Sequence, residues 1–198
     1  FVSVEMGHGN SSLITGEGYY DIAGGVAGNT VDMSGSYSSS SFISAGAGVD
    51  NVTMDFGQTA LLSGGDDNVT IEFTGSYSSG DVGLINGGSG SDTLNLIADG
   101  GCNYVQMGTN IVSFETIDMS QSLAGIELDM NSQTMTVIGS DYADTFDIGS
   151  SHQSITGGLG DDDVNIDAHM LTADFAFDGG DGSDTINVSI DGGMSWPR

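Results

Sequence analysis

Positive charge is almost missing from this chain. Its 198 residues hold one Lys or Arg against 28 Asp and Glu, a formal net charge of −27, and the one cation is Arg198. With nothing to neutralise phosphate groups, nucleic acid and anionic membrane surfaces are excluded as partners. So many carboxylates without internal counter-cations repel one another and oppose compaction, unless bound metal cations supply the missing charge.

Other absences narrow the reading further. Cys102 is the single cysteine, which rules out an internal disulfide framework and a thiolate zinc cluster and leaves it as a small core residue. Pro197 is the single proline, so no proline interrupts a strand. His8, His152 and His169 lie far apart, without metal-ligand spacing, and read as loop or surface residues. No apolar run approaches the roughly 20 residues of a membrane span, so no membrane insertion is expected. No signal peptide is visible and the chain starts at Phe1, so a processed product or a piece of a longer secreted protein is expected. No segment carries a helical apolar stripe; Gly125 interrupts Ser120 to Met130, the best candidate.

Glycine, by contrast, is plentiful, and it recurs in a pattern. Gly87-Gly88-Ser89-Gly90-Ser91-Asp92-Thr93-Leu94-Asn95 returns as Gly157-Gly158-Leu159-Gly160-Asp161-Asp162-Asp163-Val164-Asn165 and as Gly179-Gly180-Asp181-Gly182-Ser183-Asp184-Thr185-Ile186-Asn187. Looser copies place Asn29, Asp50, Asp67 and Asp144 at the acidic position, and a half copy places Glu115 there. Successive positions 29, 50, 67, 92, 115, 144, 162 and 184 differ by 21, 17, 25, 23, 29, 18 and 22. The mean, about 22 residues, suits one turn of a solenoid.

Apolar residues alternate after each acidic position: Val31/Met33, Val52/Met54/Phe56, Val69/Ile71/Phe73, Leu94/Leu96, Ile117/Met119, Phe146/Ile148, Val164/Ile166 and Ile186/Val188/Ile190. Period-two alternation marks strands with one buried face. Stacked turns would place equivalent residues above one another in a thin continuous core. The expected fold is therefore all-β: a single-domain parallel β-solenoid spanning residues 1–198, with about eight turns of roughly 22 residues. Ile97 to Ser113 fits the repeat least and is expected to bulge as a loop.

The spacing also suggests a chemistry. Glycines bend the chain sharply and bring carbonyl oxygens together, and the following Asp adds a carboxylate. One turn has too few oxygens for a hard cation that takes 6–8 ligands, but two stacked turns can share one. The motif resembles the repeats-in-toxin (RTX, haemolysin-type) calcium-binding nonapeptide, which forms a parallel β-roll in secreted bacterial proteins. Phe114 to Ser120 and Ile138 to Phe146 also resemble segments of RTX-type surface-layer proteins.

That resemblance implies several bound Ca²⁺ ions held by Asp50, Asp67, Asp92, Asp144, Asp162 and Asp184. The backbone carbonyls would come from Gly87, Gly88, Gly90, Gly157, Gly158, Gly160, Gly179, Gly180 and Gly182. Family nonapeptides run in tandem, two per turn; with about one motif per turn here, a single main calcium edge is expected, with the Asn29 and Glu115 turns weak or empty.

Three functions are compatible with such a molecule. The first is a secreted or cell-surface structural protein, a subunit of a surface layer, filament or adhesin that associates with itself. Tyr19, Tyr20, Tyr37 and Tyr77 in loops are its candidate contacts. The second is the calcium module of a larger secreted enzyme or toxin. The third is catalysis through paired carboxylates such as Asp66-Asp67 or Asp161-Asp162-Asp163. The repeat already explains those pairs, no Lys or Arg is available to stabilise an anionic sugar, and no nucleophile triad is legible, so no enzyme is expected. Thr30, Asn51, Asn68, Thr93, Thr145 and Thr185 share one repeat position, which makes ice or a carbohydrate such as cell-surface polysaccharide a candidate ligand.

Overall fold

A computed structural model describes residues 1–36, 41–73, 75–77, 82–101, 103–130, 133, 135–149, 153–171 and 174–190. Cys102, His152, Tyr37 and Arg198 lie outside these residues. The chain is an all-β, parallel solenoid of about eight turns with a spacing of about 21 residues. The one helical element among the described residues is a single 3₁₀ turn, Ala168–Met170.

The strands follow in chain order. The first three turns hold two strands each: β1 (Val2–Glu5) and β2 (Ser11–Ile14), β3 (Tyr20–Ala23) and β4 (Asn29–Asp32), β5 (Phe42–Ala47) and β6 (Asn51–Met54). The next three hold three strands each. They are β7 (Thr59–Gly64), β8 (Asn68–Phe73) and β9 (Ser76–Tyr77); β10 (Ile85–Asn86), β11 (Thr93–Ala98) and β12 (Tyr104–Gln106); β13 (Ile111–Val112), β14 (Thr116–Asp118) and β15 (Glu127–Asp129). The last turns return to two strands: β16 (Met135–Ile138) and β17 (Thr145–Asp147), β18 (Gln153–Leu159) and β19 (Asp163–Asp167), β20 (Ala176–Asp181) and β21 (Thr185–Ser189).

These strands build three parallel sheets. Sheet A runs β1-β3-β5-β7-β10-β13, sheet B runs β2-β4-β6-β8-β11-β14-β16-β18-β20, and sheet C runs β9-β12-β15-β17-β19-β21. Sheet B is therefore the spine. It faces sheet A in the first half, shares three turns with both, and faces sheet C in the second half. Turn length explains the change: the register advances by 25 residues from Asn68 to Thr93 and 23 from Thr93 to Thr116, enough for three strands. It advances by only 18 from Thr136 to Ser154, which leaves room for two strands and their corners.

Alternation puts the same apolar column on the inner face of every turn. In sheet B, Val31, Val52, Val69, Leu94, Ile117, Val137 and Ile155 stack in register. Ile22, Ile43, Ala60, Ile85 and Ile111 do so in sheet A, and Val105, Leu128, Phe146 and Val164 in sheet C. All sixteen are essentially excluded from solvent. Burying a side chain of this size contributes about 1.5–3 kcal/mol, so the fold is held chiefly along this line.

Two expectations need correction here. Ile97 to Ser113 does not bulge out: it supplies β12 and β13, and Val105, Met107 and Ile111 are fully buried. Its poor fit to the repeat arises because it carries the extra strand of a three-sheet turn. Tyr77 is not a loop contact either. It opens sheet C, its ring centroid 4.5 Å from that of Phe56 and 5.9 Å from that of Phe73. Tyr20 lies in β3 and is half-buried, while Tyr19 is exposed.

Candidate functional site

The acidic repeat positions are the residues at which the chain leaves one sheet and enters the next. Register divides them into two columns, not the single edge expected from the sequence. Asn29, Asp50, Asp67, Asp92 and Glu115 stand at the corner where sheet A passes into sheet B. Asp144, Asp162 and Asp184 stand where sheet B passes into sheet C, preceded in the same column by Asn103 and Ile126. The two corners lie at opposite ends of the strands of sheet B. In sheet B, Glu115 is followed by Met135, not by Asp144.

Each column is knitted by one hydrogen-bond rule. The carboxylate of a turn accepts the backbone N–H of the column residue in the preceding turn. Asn29 N donates to Asp50 Oδ1 at 2.7 Å, Asp50 N to Asp67 Oδ1 at 2.7 Å, Asp67 N to Asp92 Oδ1 at 2.8 Å, and Asp92 N to Glu115 Oε2 at 2.8 Å. In the second column Ile126 N donates to Asp144 Oδ1 at 2.7 Å, Asp144 N to Asp162 Oδ1 at 2.8 Å, and Asp162 N to Asp184 Oδ1 at 3.1 Å. Just outside, Asp66 Oδ1 accepts from Ser91 N at 2.9 Å and Asp161 Oδ1 from Ser183 N at 2.8 Å.

The second oxygen of most of these carboxylates has no partner. Oδ2 of Asp50, Asp67, Asp92 and Asp162 is buried and unbonded. At Asp92 and Asp162 the space around it is set by glycine; at Asp50 and Asp67 the matching position, five residues back, carries the side chain of Ala45 or Leu62. A methyl group on Gly157 would collide with Asp162 Oδ2 and with the Gly179 carbonyl of the next turn. One on Gly87 would meet Asp92 Oδ2 and the Ser113 carbonyl, and one on Gly179 would meet Asp184 Oδ2. The glycines thus keep open a space in which an anionic oxygen faces carbonyl oxygens, with no donor between them. Gly158 and Gly160, at φ +113° and +106°, turn the chain through a conformation that side chains resist. Gly88, Gly90, Gly180 and Gly182 do the same in their own corners.

An acceptor-only cluster of this kind is costly unless something positive enters it. Burial pushes the carboxyls of Asp50, Asp92 and Asp162 above the ordinary carboxylate value, joined at Asp92 by the charges of Glu115 and Asp66 and at Asp162 by those of Asp184, Asp161 and Asp163. It pushes Asp67 up to about 6, helped by the negative charges of Asp50, Asp92 and Asp66 and opposed by the hydrogen bond from Asp50 N. Asp144 also rises to about 6 through burial, but it has protein donors. Ser140 N reaches its Oδ2 at 2.7 Å, and Ser140 Oγ lies 3.0–3.1 Å from both oxygens.

The residues fit a hard cation in donor type: carboxylate and carbonyl oxygen, spaced by glycine. They do not form a cluster of carboxylates. Among the described residues no group of three or more His, Cys, Asp or Glu converges, because each column delivers one carboxylate per turn. Any ion there is held mainly by backbone oxygen from adjacent turns.

Asn103 is the column residue that the motif did not reveal. It lacks the glycine-aspartate signature, and only its place before β12 in register identifies it. The supposed Thr and Asn array divides as the acids do: Thr30, Asn51, Asn68 and Thr93 share a column on sheet B, while Thr145 and Thr185 lie on sheet C. His8 is exposed in the first corner, and the exposed His169 ring pairs with Asp167 at 2.6 Å. No described helix is long and apolar enough to cross a membrane. Comparison with family models, with curated proteins and with solved structures finds no match to the chain.

Proposed function

We propose that the chain is a calcium-stabilised structural solenoid that works outside the cell, as a self-associating subunit of a surface layer, filament or adhesin. The observation that carries the calcium reading is the row of buried, unpartnered carboxylate oxygens at Asp50, Asp67, Asp92 and Asp162, those of Asp92 and Asp162 facing a glycine. A divalent ion there would bind Oδ2 together with carbonyls of its own turn and the next, and would neutralise charge that nothing else in the chain can. Asp144 and Asp184 complete the acidic set, the first already shared with Ser140. The resemblance to RTX repeats supports calcium over magnesium, as does a site of flexible backbone oxygens.

Millimolar free calcium is the condition under which such sites fill. Extracellular calcium modules bind with Kd of about 10⁻⁴–10⁻³ M. A site held at about 100 times its Kd adds about 2.7 kcal/mol to folding. Several sites together rival the roughly 5–15 kcal/mol that stabilises a whole domain. This supports a protein that folds after export, where calcium is abundant.

Self-association is supported by the two ends of the stack. Val2 and Ile14 on the first strands, and Ile186, Val188 and Ile190 on and beside the last, hold apolar side chains in solvent. Another turn of solenoid would cover them, from a second copy or from a longer polypeptide. Acidic faces can also be bridged by calcium, and the outer face of sheet B, with its column of Thr30, Asn51, Asn68 and Thr93, is the candidate surface for a cell-surface polysaccharide.

Electron microscopy and light scattering with and without calcium test this. Ordered sheets or fibres that vanish on chelation are expected. Calcium-folded monomers at all concentrations would overturn the assembly reading and favour the calcium module of a larger secreted enzyme or toxin. A circular dichroism spectrum of β type that is unchanged in excess chelator would overturn the calcium reading.

A further inference from the structure

Each column contains, ahead of its aspartates, a carboxamide in place of a carboxylate. Asn29 precedes Asp50, Asp67 and Asp92, and Asn103 precedes Asp144 and Asp162. Both side chains are buried, with 1% and 4% of their surface exposed. Asn29 Nδ2 donates to the carbonyl of Ala27 at 2.9 Å in its own turn and to that of Ala45 at 3.1 Å in the next. Asn103 Nδ2 donates to the Gly101 carbonyl at 3.2 Å in its own turn and to Gly125 at 3.1 Å in the next.

Both amides bridge two turns, although the second acceptor differs: Ala45 lies five residues before the next column residue, Asp50, and Gly125 lies one before Ile126. In each, the amide nitrogen ties the carbonyl two residues back to a carbonyl of the following turn. Carbonyl oxygens only accept, so the NH₂ group must face them. For Asn29 the comparison with an aspartate corner is direct. Ala45 lies five residues before Asp50, and Gly179 lies five before Asp184. At the Asp162 corner the Gly179 carbonyl shares its space with an unpartnered carboxylate oxygen; at the Asn29 corner the Ala45 carbonyl receives an N–H.

We infer that the carboxamides of Asn29 and Asn103 are built-in substitutes for the cation, so that these two corners close without metal and the choice of Asn or Asp at the column position selects which corners take an ion. The inference rests on the calcium reading above. The amide brings its own donor and no net charge, so its corner is neutral at any calcium concentration. Asn29 Nδ2 also reaches Asp50 Oδ1 at 2.7 Å, serving the first carboxylate of its column. The side-chain oxygen of both asparagines stays buried and unbonded, which costs a neutral amide far less than an ionised carboxylate.

Native mass spectrometry of the intact chain at fixed free calcium, with melting curves in chelator, tests this. Asn29→Asp and Asn103→Asp should each carry one more calcium than the parent and melt lower in chelator. Asp162→Asn should carry one fewer and melt higher in chelator. Asn103→Ala should keep the parental count. An Asn103→Ala chain with one ion fewer would make the buried Oδ1 a ligand and overturn the inference. So would Asn→Asp variants that gain no ion while Asp162→Asn loses one. A parent chain with no bound calcium would sink the calcium reading itself, and this inference with it.

Discussion

The two carboxylate columns follow one hydrogen-bond rule and reach different electrostatic ends. At the corner between sheets A and B, Asp50, Asp67 and Asp92 stand in three consecutive turns, each with a buried, unbonded Oδ2. At the corner between sheets B and C the column is diluted. Ile126 occupies one turn, Ser140 satisfies Asp144, and Asp184 is half-exposed, leaving Asp162 as the one described carboxylate of the column with a buried, unbonded oxygen. A buried carboxylate can therefore be kept by protein donors or by an external cation, and in the first column no aspartate has donors on both oxygens as Asp144 has. The first half of the molecule should depend on calcium more than the second.

The largest expected effect comes from removing the ion. In excess chelator the protein should lose most of its β-type circular dichroism, and hydrogen exchange should open strands β4 to β11 before strands β17 to β19. Equal protection in both halves would break the comparison.

Single carboxylates sharpen it. Asp144→Ala removes an acceptor for Ile126 N and for Ser140 and should cost about 1–3 kcal/mol with or without calcium. Asp67→Asn should destabilise the calcium-loaded protein yet stabilise the calcium-free one, because it removes a charge pressed against Asp50, Asp92 and Asp66. Urea midpoints in calcium and in chelator measure both. The same sign for Asp67→Asn in the two conditions would contradict the role assigned to it.

The pH dependence has a definite sign. The carboxyls of Asp67 and Asp144 are raised to about 6 in the folded chain, against 3.8 ordinarily. A raised value favours the protonated form in the fold. Without calcium, stability should be greatest below about pH 4 and fall as pH rises through 6. With saturating calcium the ion competes with protons and holds the carboxylates ionised, so the fall over the same window should flatten. Urea midpoints from pH 4 to 7 would reveal a steep slope in chelator and a shallow one in calcium; parallel slopes would refute the exchange of ion for proton.

The smallest effect separates corner glycines by place. Gly157→Ala sets a methyl against Asp162 Oδ2 and the Gly179 carbonyl and should weaken calcium binding at that corner. Gly7→Ala, in the first corner, meets nothing within 4 Å and should leave calcium titrations and melting within error. Equal losses from the two would remove the argument that the glycines keep an ion space open.

One numerical oddity in the repeat already held the trace of two columns. The step from position 115 to 144 is 29 residues, the longest of the series. The structure resolves it: Thr116 pairs with Thr136, a step of 20, and Asp144 begins its ladder from Ile126, 18 residues earlier. The acidic series had changed corners. Likewise Ile97 to Ser113 read as an irregular loop because short strands such as Tyr104–Gln106 and Ile111–Val112 give too few residues for a two-residue period to register.

Local patterns were enough to determine the repeat, the alternation and hence a parallel solenoid, because each turn carries its own glycine corner and its own apolar positions. They also placed Asp50, Asp67, Asp92, Asp144, Asp162 and Asp184 at corners. Only the tertiary structure decided which corner. A residue's neighbours in a solenoid are one turn away, about 21 residues along the chain, and the number of strands per turn sets where it lands. For the same reason only the stacked turns could expose Asn103 as a column member, and leave Asp50, Asp67, Asp92 and Asp162 each with an oxygen that the chain itself does not satisfy.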